Sequence, residues 1–190
     1  MSRSDLVVAA DGGANIFHKY DLEPDMLIGD LDSVTSHEWP NTSIVHISDQ
    51  ETTDLEKALR FLLEKDVKAI RILGGLGGRT DHLLNNLNVC AQVDPDIDIT
   101  FIHDDPHADG FSLESIYRLT PKGRMIQVDD DSLVSVSSVV GFSGLTSVGL
   151  KWEILDANAH DGFFSQSNRA TASELRFTLE DGICYISVYQ

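Results

Sequence analysis

Positive charge is scarce in this chain. It holds 14 Lys and Arg against 31 Asp and Glu, a formal net charge of -17. Such a protein repels nucleic-acid backbones and anionic membrane surfaces, and no basic cluster offsets the repulsion. A phosphorylated ligand would therefore need its counter-charge from metal ions and a few placed Arg or Lys side chains, so anion binding here predicts Mg2+. Cysteine is scarce too. Cys90 and Cys184 lie far apart without Cys-x-x-Cys or Cys/His spacing, which argues against a zinc site or a disulfide framework. Buried free thiols in a reducing compartment are expected. No uninterrupted apolar run is long enough to span a bilayer, and Met1-Ser2-Arg3-Ser4-Asp5 lacks the apolar centre of a signal peptide. The expected location is the cytoplasm, with no nucleic-acid and no membrane partner.

What is present is ordinary globular material: 190 residues, 42% hydrophobic and 24% charged, enough for one large domain or two small ones. Leu6-Val7-Val8-Ala9-Ala10 is a continuous apolar run suited to a strand buried on both faces. Asp11-Gly12-Gly13-Ala14-Asn15 follows at its end. Glycines there let the backbone approach a ligand, and a helix over 14–20 would favour an anion at its N-terminus; a plain Asp-Gly turn fits the same residues. A doubly wound fold would place another strand before this one.

Met26-Leu27-Ile28 reads as a second short strand, and Gly29 lets the chain turn as it ends. Asp30 and Asp32 come next. In an extended segment residues two apart project to the same side, about 7 Å apart, so two carboxylates would face one spot and invite a cation. Alone, Asp-X-Asp-Ser also fits a solvated turn. Ser43-Ile44-Val45-His46-Ile47 is a third strand, and the polar 48–54 runs into the clearest helix of the chain. There Thr53 and Glu56 form a capping box, and Leu55, Ala58, Leu59, Leu62 and Leu63 make one apolar face. Asp54 lies in the first turn, either as a carboxylate favoured by the helix dipole or as a third carboxylate at the same rim.

Ala69-Ile70-Arg71-Ile72-Leu73 is a strand leading into Gly74-Gly75-Leu76-Gly77-Gly78-Arg79-Thr80-Asp81-His82. So many glycines imply a tight turn or a backbone pressed against a ligand. The segment is neither a P-loop nor a spaced Gly-x-Gly-x-x-Gly. Arg79 is the best candidate for a phosphate clamp, or else an Arg on a surface loop. A helix with Leu83, Leu84, Leu87, Cys90 and Ala91 follows, then the strand 97–103 and a polar loop over 104–110. From about Leu119 helical periodicity gives way to alternating strands, with Leu175, Phe177 and Leu179 meeting Asp181-Gly182 as a hairpin turn into 183–186. Two domains follow: a mostly parallel, Rossmann-like α/β domain over 1–118 and a small antiparallel β-sandwich over 119–190.

Taken together, D-G-G-A-N at 11–15, G-D-L-D-S at 29–33, D-Q-E-T-T-D at 49–54, G-G-L-G-G-R-T-D-H at 74–82, G-L-K-W at 149–152 and S-Q-S-N at 165–168 resemble the thiamine pyrophosphokinase family, in order along nearly the whole chain. The resemblance implies Mg2+-dependent transfer of the diphosphoryl group of ATP to the hydroxyl of thiamine, and a homodimer whose active site is shared between subunits. It implies metal and phosphate roles for Asp30, Asp32 and Asp54. Nucleotide contacts fall to Asp11, Gly12, Gly13, Asn15, Gln50, Thr53, Gly77, Gly78 and Arg79. Thiamine contacts fall to Asp81, Leu150, Trp152, Ser167 and Asn168, with Trp152 as an aromatic platform for the cationic ring. Asp81 and Asp54 both remain candidates for the general base. A pyrophosphokinase for another alcohol such as a pterin, and a non-catalytic nucleotide or thiamine sensor, are the rival readings.

Overall fold

The computed structural model describes residues 6–35, 38–76, 79–103, 113–159 and 164–190; the expected loop 104–110 and Gly77 and Gly78 lie outside them. The chain is mixed α/β, rich in strands with few helices, and divides into two compact units, Met1–Val67 and Lys68–Gln190.

The first unit carries β1 (Val8–Ala10), a 3-10 turn Asp11–Gly13, α1 (Ala14–Lys19), β2 (Met26–Gly29), β3 (Ser43–His46) and α2 (Asp54–Leu63). Its sheet runs β1-β2-β3 with both pairs parallel, Ala10 opposite Ile28 and Gly29 opposite His46. Parallel register has a consequence for function: the carboxyl ends of β1 and β2 lie side by side, so Asp11 and Asp30 leave their strands at the same edge. α2 packs on β1 and β2. It starts at Thr53 with the full capping box, the Thr53 hydroxyl accepting from the Glu56 amide while the Glu56 carboxylate accepts from the Thr53 amide. Ala9, Ala14 and Leu27 form a small core against which Phe17, Leu31, Val34 and Trp39 pack.

The second unit holds β4 (Ala69–Leu73), α3 (Thr80–Ala91), β5 (Asp98–His103), β6 (Glu114–Leu119), β7 (Arg124–Gln127), β8 (Leu133–Ser143), β9 (Thr146–Val148), β10 (Ser165–Arg169), β11 (Glu174–Thr178) and β12 (Asp181–Tyr189). A six-stranded sheet runs β10-β8-β12-β6-β5-β4 and a three-stranded one β7-β11-β9. In these sheets β4 and β5 pair parallel, and the other described pairs are antiparallel. One core draws Val134, Val136, Ile186 and Val188 from the first sheet and Ile126, Leu175 and Phe177 from the second.

The six-stranded sheet runs across 118/119, where the change of sequence texture suggested a boundary, because β6 pairs with β5 before that point and with β12 after it. The expected hairpin at Asp181-Gly182 does not form. β11 pairs with β7 and β9, while β12 pairs with β6 and β8, so the chain changes sheets there. Gly182 serves a close backbone approach instead: at φ +87° an added Cβ would stand 2.3 Å from the carbonyl oxygen of Gly141 on β8. A glycine inside a strand marks such an approach or a bulge as readily as a turn, and the β8–β12 register shifts between Ile183 and Tyr185.

Among the described residues no helix is long and apolar enough to cross a membrane. Cys90 and Cys184 are both free and buried, and burial pushes each thiol up to about 12.

Candidate active site

In the first unit the carboxylates of Asp11, Asp30 and Asp32 each offer an oxygen within 4.8 Å of the others. Extended-strand alternation is not what brings Asp30 and Asp32 together. β2 ends at Gly29, and Leu31 sits at φ +65° in the left-handed region, folding the two acids around one point while its own side chain packs on the small core. Such a conformation costs a residue with a Cβ about 1–2 kcal/mol. Asp11, at φ +40°, adds the third carboxylate from the end of β1.

Each acid is placed differently. Gln50 Nε2 donates to Asp30 Oδ2 at 2.6 Å, and the Asp32 amide donates to Asp30 Oδ1 at 3.4 Å. These two bonds, Gln50 first, hold the Asp30 carboxyl below the usual carboxylate range, with the Lys57 charge adding to them. Asp32 Oδ1 accepts from the Ser33 hydroxyl at 2.8 Å. Asp11 is 4% exposed and its Oδ1 has no hydrogen-bond partner. A buried carboxylate oxygen without a donor, beside two more carboxylates, is a costly arrangement unless a cation completes it. The all-oxygen donor set fits a hard divalent ion such as Mg2+.

Asp54 stands outside this group. Its Oδ1 accepts from Lys57 Nζ at 2.9 Å, and the Lys57 side chain is 3% exposed. The Asp54 bond, ahead of the charges of Asp54, Asp30 and Asp49, raises the Lys57 pKa. Lys57 escaped sequence reading because an Asp-x-x-Lys pair in the first turns of a helix looks like a solvated ion pair.

Asn15, expected at a nucleotide, is already engaged. Its Nδ2 donates to the Ser33 carbonyl at 2.9 Å, and its Oδ1 accepts from the Thr35 amide and hydroxyl at 2.9 and 2.7 Å. The amide thereby ties the loop after Asp32 to α1. Thr53 likewise spends its side chain on the helix cap. Gly12 lies close beneath that loop, since a Cβ there would meet Ser33 Cβ at 3.2 Å, whereas a Cβ on Gly13 would meet nothing within 4 Å.

Gly29 sets the geometry of the whole group. It has φ +153°, and a Cβ on it would stand 2.8 Å from Asp11 Cβ. Gly29→Ala should therefore displace Asp11, costing about 1–3 kcal/mol of stability through overpacking and sharply weakening divalent-cation binding. Isothermal titration with Mn2+ beside a urea melt checks both. Unaltered cation binding would place Asp11 outside the cation's ligands.

The second unit holds the remaining candidates. Arg79 is the N-cap residue of α3, and Asp81 lies in its first turn. Arg79 Nε donates to Asp81 Oδ1 at 3.1 Å and Nη2 to Asp81 Oδ2 at 2.5 Å, a two-pronged pair with both side chains largely exposed. The Arg79 bond is the main reason that the Asp81 carboxyl is held below its ordinary range. The planar fork expected for phosphate is thus formed and displayed, with a carboxylate in its grip.

Around Trp152, Asn168 is buried and clamps the backbone: its Nδ2 donates to the Trp152 carbonyl at 2.7 Å and its Oδ1 accepts from the Trp152 amide at 3.2 Å. The indole is 57% exposed, with Lys151 Nζ 4.7 Å from its ring centroid. This indole face already attracts a cation. Leu150 is buried in the core, and Ser167, at φ +59°, donates its amide to the Ser135 hydroxyl at a register shift of β10. Glu153 was not foreseen. Its carboxylate accepts from the Gly149 and Leu150 amides at 2.7 and 3.2 Å and from the Ser147 hydroxyl at 2.7 Å, fixing the loop that presents Trp152.

Comparison with known proteins agrees with these motifs. The sequence profile described as "Thiamin pyrophosphokinase, catalytic domain" matches residues 1–101. The chain belongs to the thiamin pyrophosphokinase family. Thiamine pyrophosphokinase 2 of Oryza sativa subsp. japonica is 30% identical over 90% of this chain and 73% of its own length. Thiamine pyrophosphokinase 2 of Arabidopsis thaliana is 28% identical over 86% and 70%. In fold, the thiamin pyrophosphokinase of Geobacillus thermodenitrificans superposes with a TM-score of 0.80 at 21% identity, covering 100% of this chain and 88% of that one. Yeast thiamin pyrophosphokinase superposes with a TM-score of 0.74 at 18% identity, covering 98% and 78%. The carboxylate group and the Arg79–Asp81 pair both fall within the stretch matched by the family's catalytic domain.

Proposed function

We propose that this protein transfers the terminal diphosphoryl group of ATP to the hydroxyl of thiamine. The hydroxyl oxygen attacks the β-phosphorus, the bond from that phosphorus to the α,β-bridging oxygen breaks, and AMP leaves with thiamine diphosphate as the second product. The observation that carries the reading is the carboxylate group of Asp11, Asp30 and Asp32, with its unpartnered buried oxygen, in a chain of this family.

Asp11, Asp30 and Asp32 would hold Mg2+, which supplies charge neutralisation on the phosphate oxygens. Phosphoryl transfer asks the protein mainly for position and electrostatics. Gln50 keeps Asp30 turned toward the site. Gly13 leaves the backbone open to the nucleotide, while Gly12 lets the loop after Asp32 lie close to it. Arg79 exchanges its Asp81 partner for phosphate oxygens, and Asp81 then faces thiamine. Once Arg79 has left, the bond that holds the Asp81 carboxyl below its ordinary range is gone, and Asp81 and Asp54 are the candidate bases for the proton of the attacking hydroxyl. Trp152 stacks on the cationic thiazolium ring, held by Asn168 and Glu153 from behind.

In the finer fold reading, residues 1–118 act as a Rossmann-like ATP-binding part and 119–190 as a β-sandwich for thiamine. A cytoplasmic location agrees with two buried free thiols. Incubation with thiamine, ATP and Mg2+ should yield AMP and thiamine diphosphate in equal amounts. ADP or phosphate as the nucleotide product would overturn the assignment.

The family resemblance also motivates a homodimer with shared sites. Asp30→Ala and Trp152→Ala would then lie in different halves of one site. Co-refolding the two inactive variants should return roughly a quarter of wild-type activity, since about half of randomly paired two-fold dimers are mixed and each carries one intact site. No recovery from mixed dimers confirmed by mass would rule sharing out.

A further inference from the structure

The residue least expected inside the first unit is a lysine. Lys57 lies on α2 between Ala58 and Glu56, yet it is withdrawn from solvent as fully as Ala58 and Leu59 beside it. Its ammonium is bonded to Asp54 at 2.9 Å, and α2 packs on β1 and β2, the strands at whose ends Asp11 and Asp30 stand; the charges of Asp30 and Asp49 act on it as well. Asp54 is 36% exposed, so the ammonium alone is withdrawn from water; burying a charge costs free energy that an apolar side chain in its place would not, so packing alone gives no reason for the charge. The neighbourhood supplies one. Asp30 belongs to the group of three carboxylates that, without a metal, repel one another across a few ångströms. The Asp11 oxygen without a partner lies in that group, and among the described residues Lys57 is the cation whose charge acts on Asp30.

We infer that Lys57 is a positioning residue of the carboxylate group: a built-in counter-cation that holds Asp54 and Asp30 in place when the site is metal-free and moderates the grip of Asp11, Asp30 and Asp32 on a divalent cation. This rests on the reading of those three acids as a cation site. Its consequence is exchangeability. A fixed positive charge beside the site offsets part of the attraction of the acids, so the ion can arrive and leave with the nucleotide instead of remaining locked in the protein.

Mn2+ binding followed by electron paramagnetic resonance tests this without turnover, on wild type, Lys57→Met, Lys57→Gln, Lys57→Arg and Asp30→Asn. Both neutral variants should bind Mn2+ at least roughly fivefold more tightly, the lower bound set by one unit charge acting on a divalent ion at short range when water still screens the pair. They should also melt at a lower temperature without metal and show a larger rise in melting temperature with Mn2+. Lys57→Arg, which keeps the charge, should stay within about twofold of wild type. Lys57→Gln retains a donor toward Asp54 and serves if the methionine variant does not fold. A purely structural lysine would give equal or weaker Mn2+ binding in the folded neutral variants, and that result overturns the inference while wild type still binds and Asp30→Asn still loses the ion. If wild type and Asp30→Asn bind alike, the cation site itself is wrong and the role of Lys57 falls with it.

Discussion

Asp30→Asn is expected to lower turnover by a factor of about a hundred or more, the usual scale for removing one preorganised electrostatic contact at a reacting charge, while the protein stays folded. The side chain is a near isostere, so packing is undisturbed. What disappears is one of three negative charges and one of two oxygens that each receive a hydrogen bond, Oδ2 from Gln50 and Oδ1 from the Asp32 amide. An asparagine can turn its oxygen toward only one of those donors, and its amide then faces the other. Relief of repulsion among the three acids opposes the loss of the hydrogen bonds that hold the Asp30 carboxyl low, so the melting temperature without metal should change little. The rise produced by Mg2+ in the wild type should shrink or vanish, since a ligand stabilises only the state that binds it. Thermal melts with and without Mg2+, beside AMP release, separate the effects. Near-normal turnover, or an undiminished Mg2+ shift, would remove Asp30 from the site.

How much of this could be read beforehand depends on how local each cause is. α2 was legible because its cap and its apolar face lie within ten residues, and Thr53 and Glu56 make the two bonds that their spacing implies. The strands ending at Ala10 and Gly29 were legible as apolar runs. That Asp30 and Asp32 converge was legible too, but the cause was different: a left-handed Leu31, anchored by packing that only the folded unit supplies. Asp11 was read as a nucleotide contact. Its place beside Asp30 follows from the parallel register of β1 and β2, which no local pattern announces. Asp181-Gly182 failed as a hairpin signal for the same reason, since the glycine answers the backbone of β8 some forty residues earlier in sequence. Lys57 was invisible because burial decides what a charged residue does, and burial is a property of the whole unit; Glu153 is exposed, and its role depends on the loop fold that brings the Ser147 hydroxyl and the Gly149 and Leu150 amides to its carboxylate.

Arg118→Met should be the most damaging single change to the second unit. Arg118 lies on β6, is 2% exposed, and among the described residues gives its side-chain hydrogen bonds to backbone carbonyls. Its Nη1 donates to the carbonyls of Cys90 at 2.7 Å and Val93 at 2.6 Å, and its Nη2 to those of Asp94 at 2.8 Å and Ile97. These carbonyls belong to the end of α3 and the turn after it, where a helix leaves its last carbonyls without internal partners. One guanidinium therefore closes the helix end and docks it to the sheet, aided by the Tyr185 hydroxyl donating to the Leu87 carbonyl at 2.5 Å. Burial lowers the Arg118 pKa, opposed by nearby Tyr185, Cys90 and the Asp98 and Asp94 charges. Methionine fills the volume but removes four hydrogen bonds from a charged donor, each worth on the order of 1 kcal/mol or more; the Cys90 and Asp94 carbonyls keep the Val93 and Ile97 amides at 3.3 and 3.0 Å, while those of Val93 and Ile97 lose their guanidinium donor. A loss of about 4 kcal/mol is expected in urea unfolding, with faster amide exchange in the last turn of α3. Arg118→Lys should also lose stability, because an ammonium cannot reach both pairs of carbonyls from one plane. At temperatures where the variant is still folded, Mn2+ should bind the first unit as in wild type, since its ligands lie on other elements. A loss below about 1 kcal/mol, the value of a single ordinary hydrogen bond, would mean that the carbonyls find other donors and that Arg118 is not the clasp of α3.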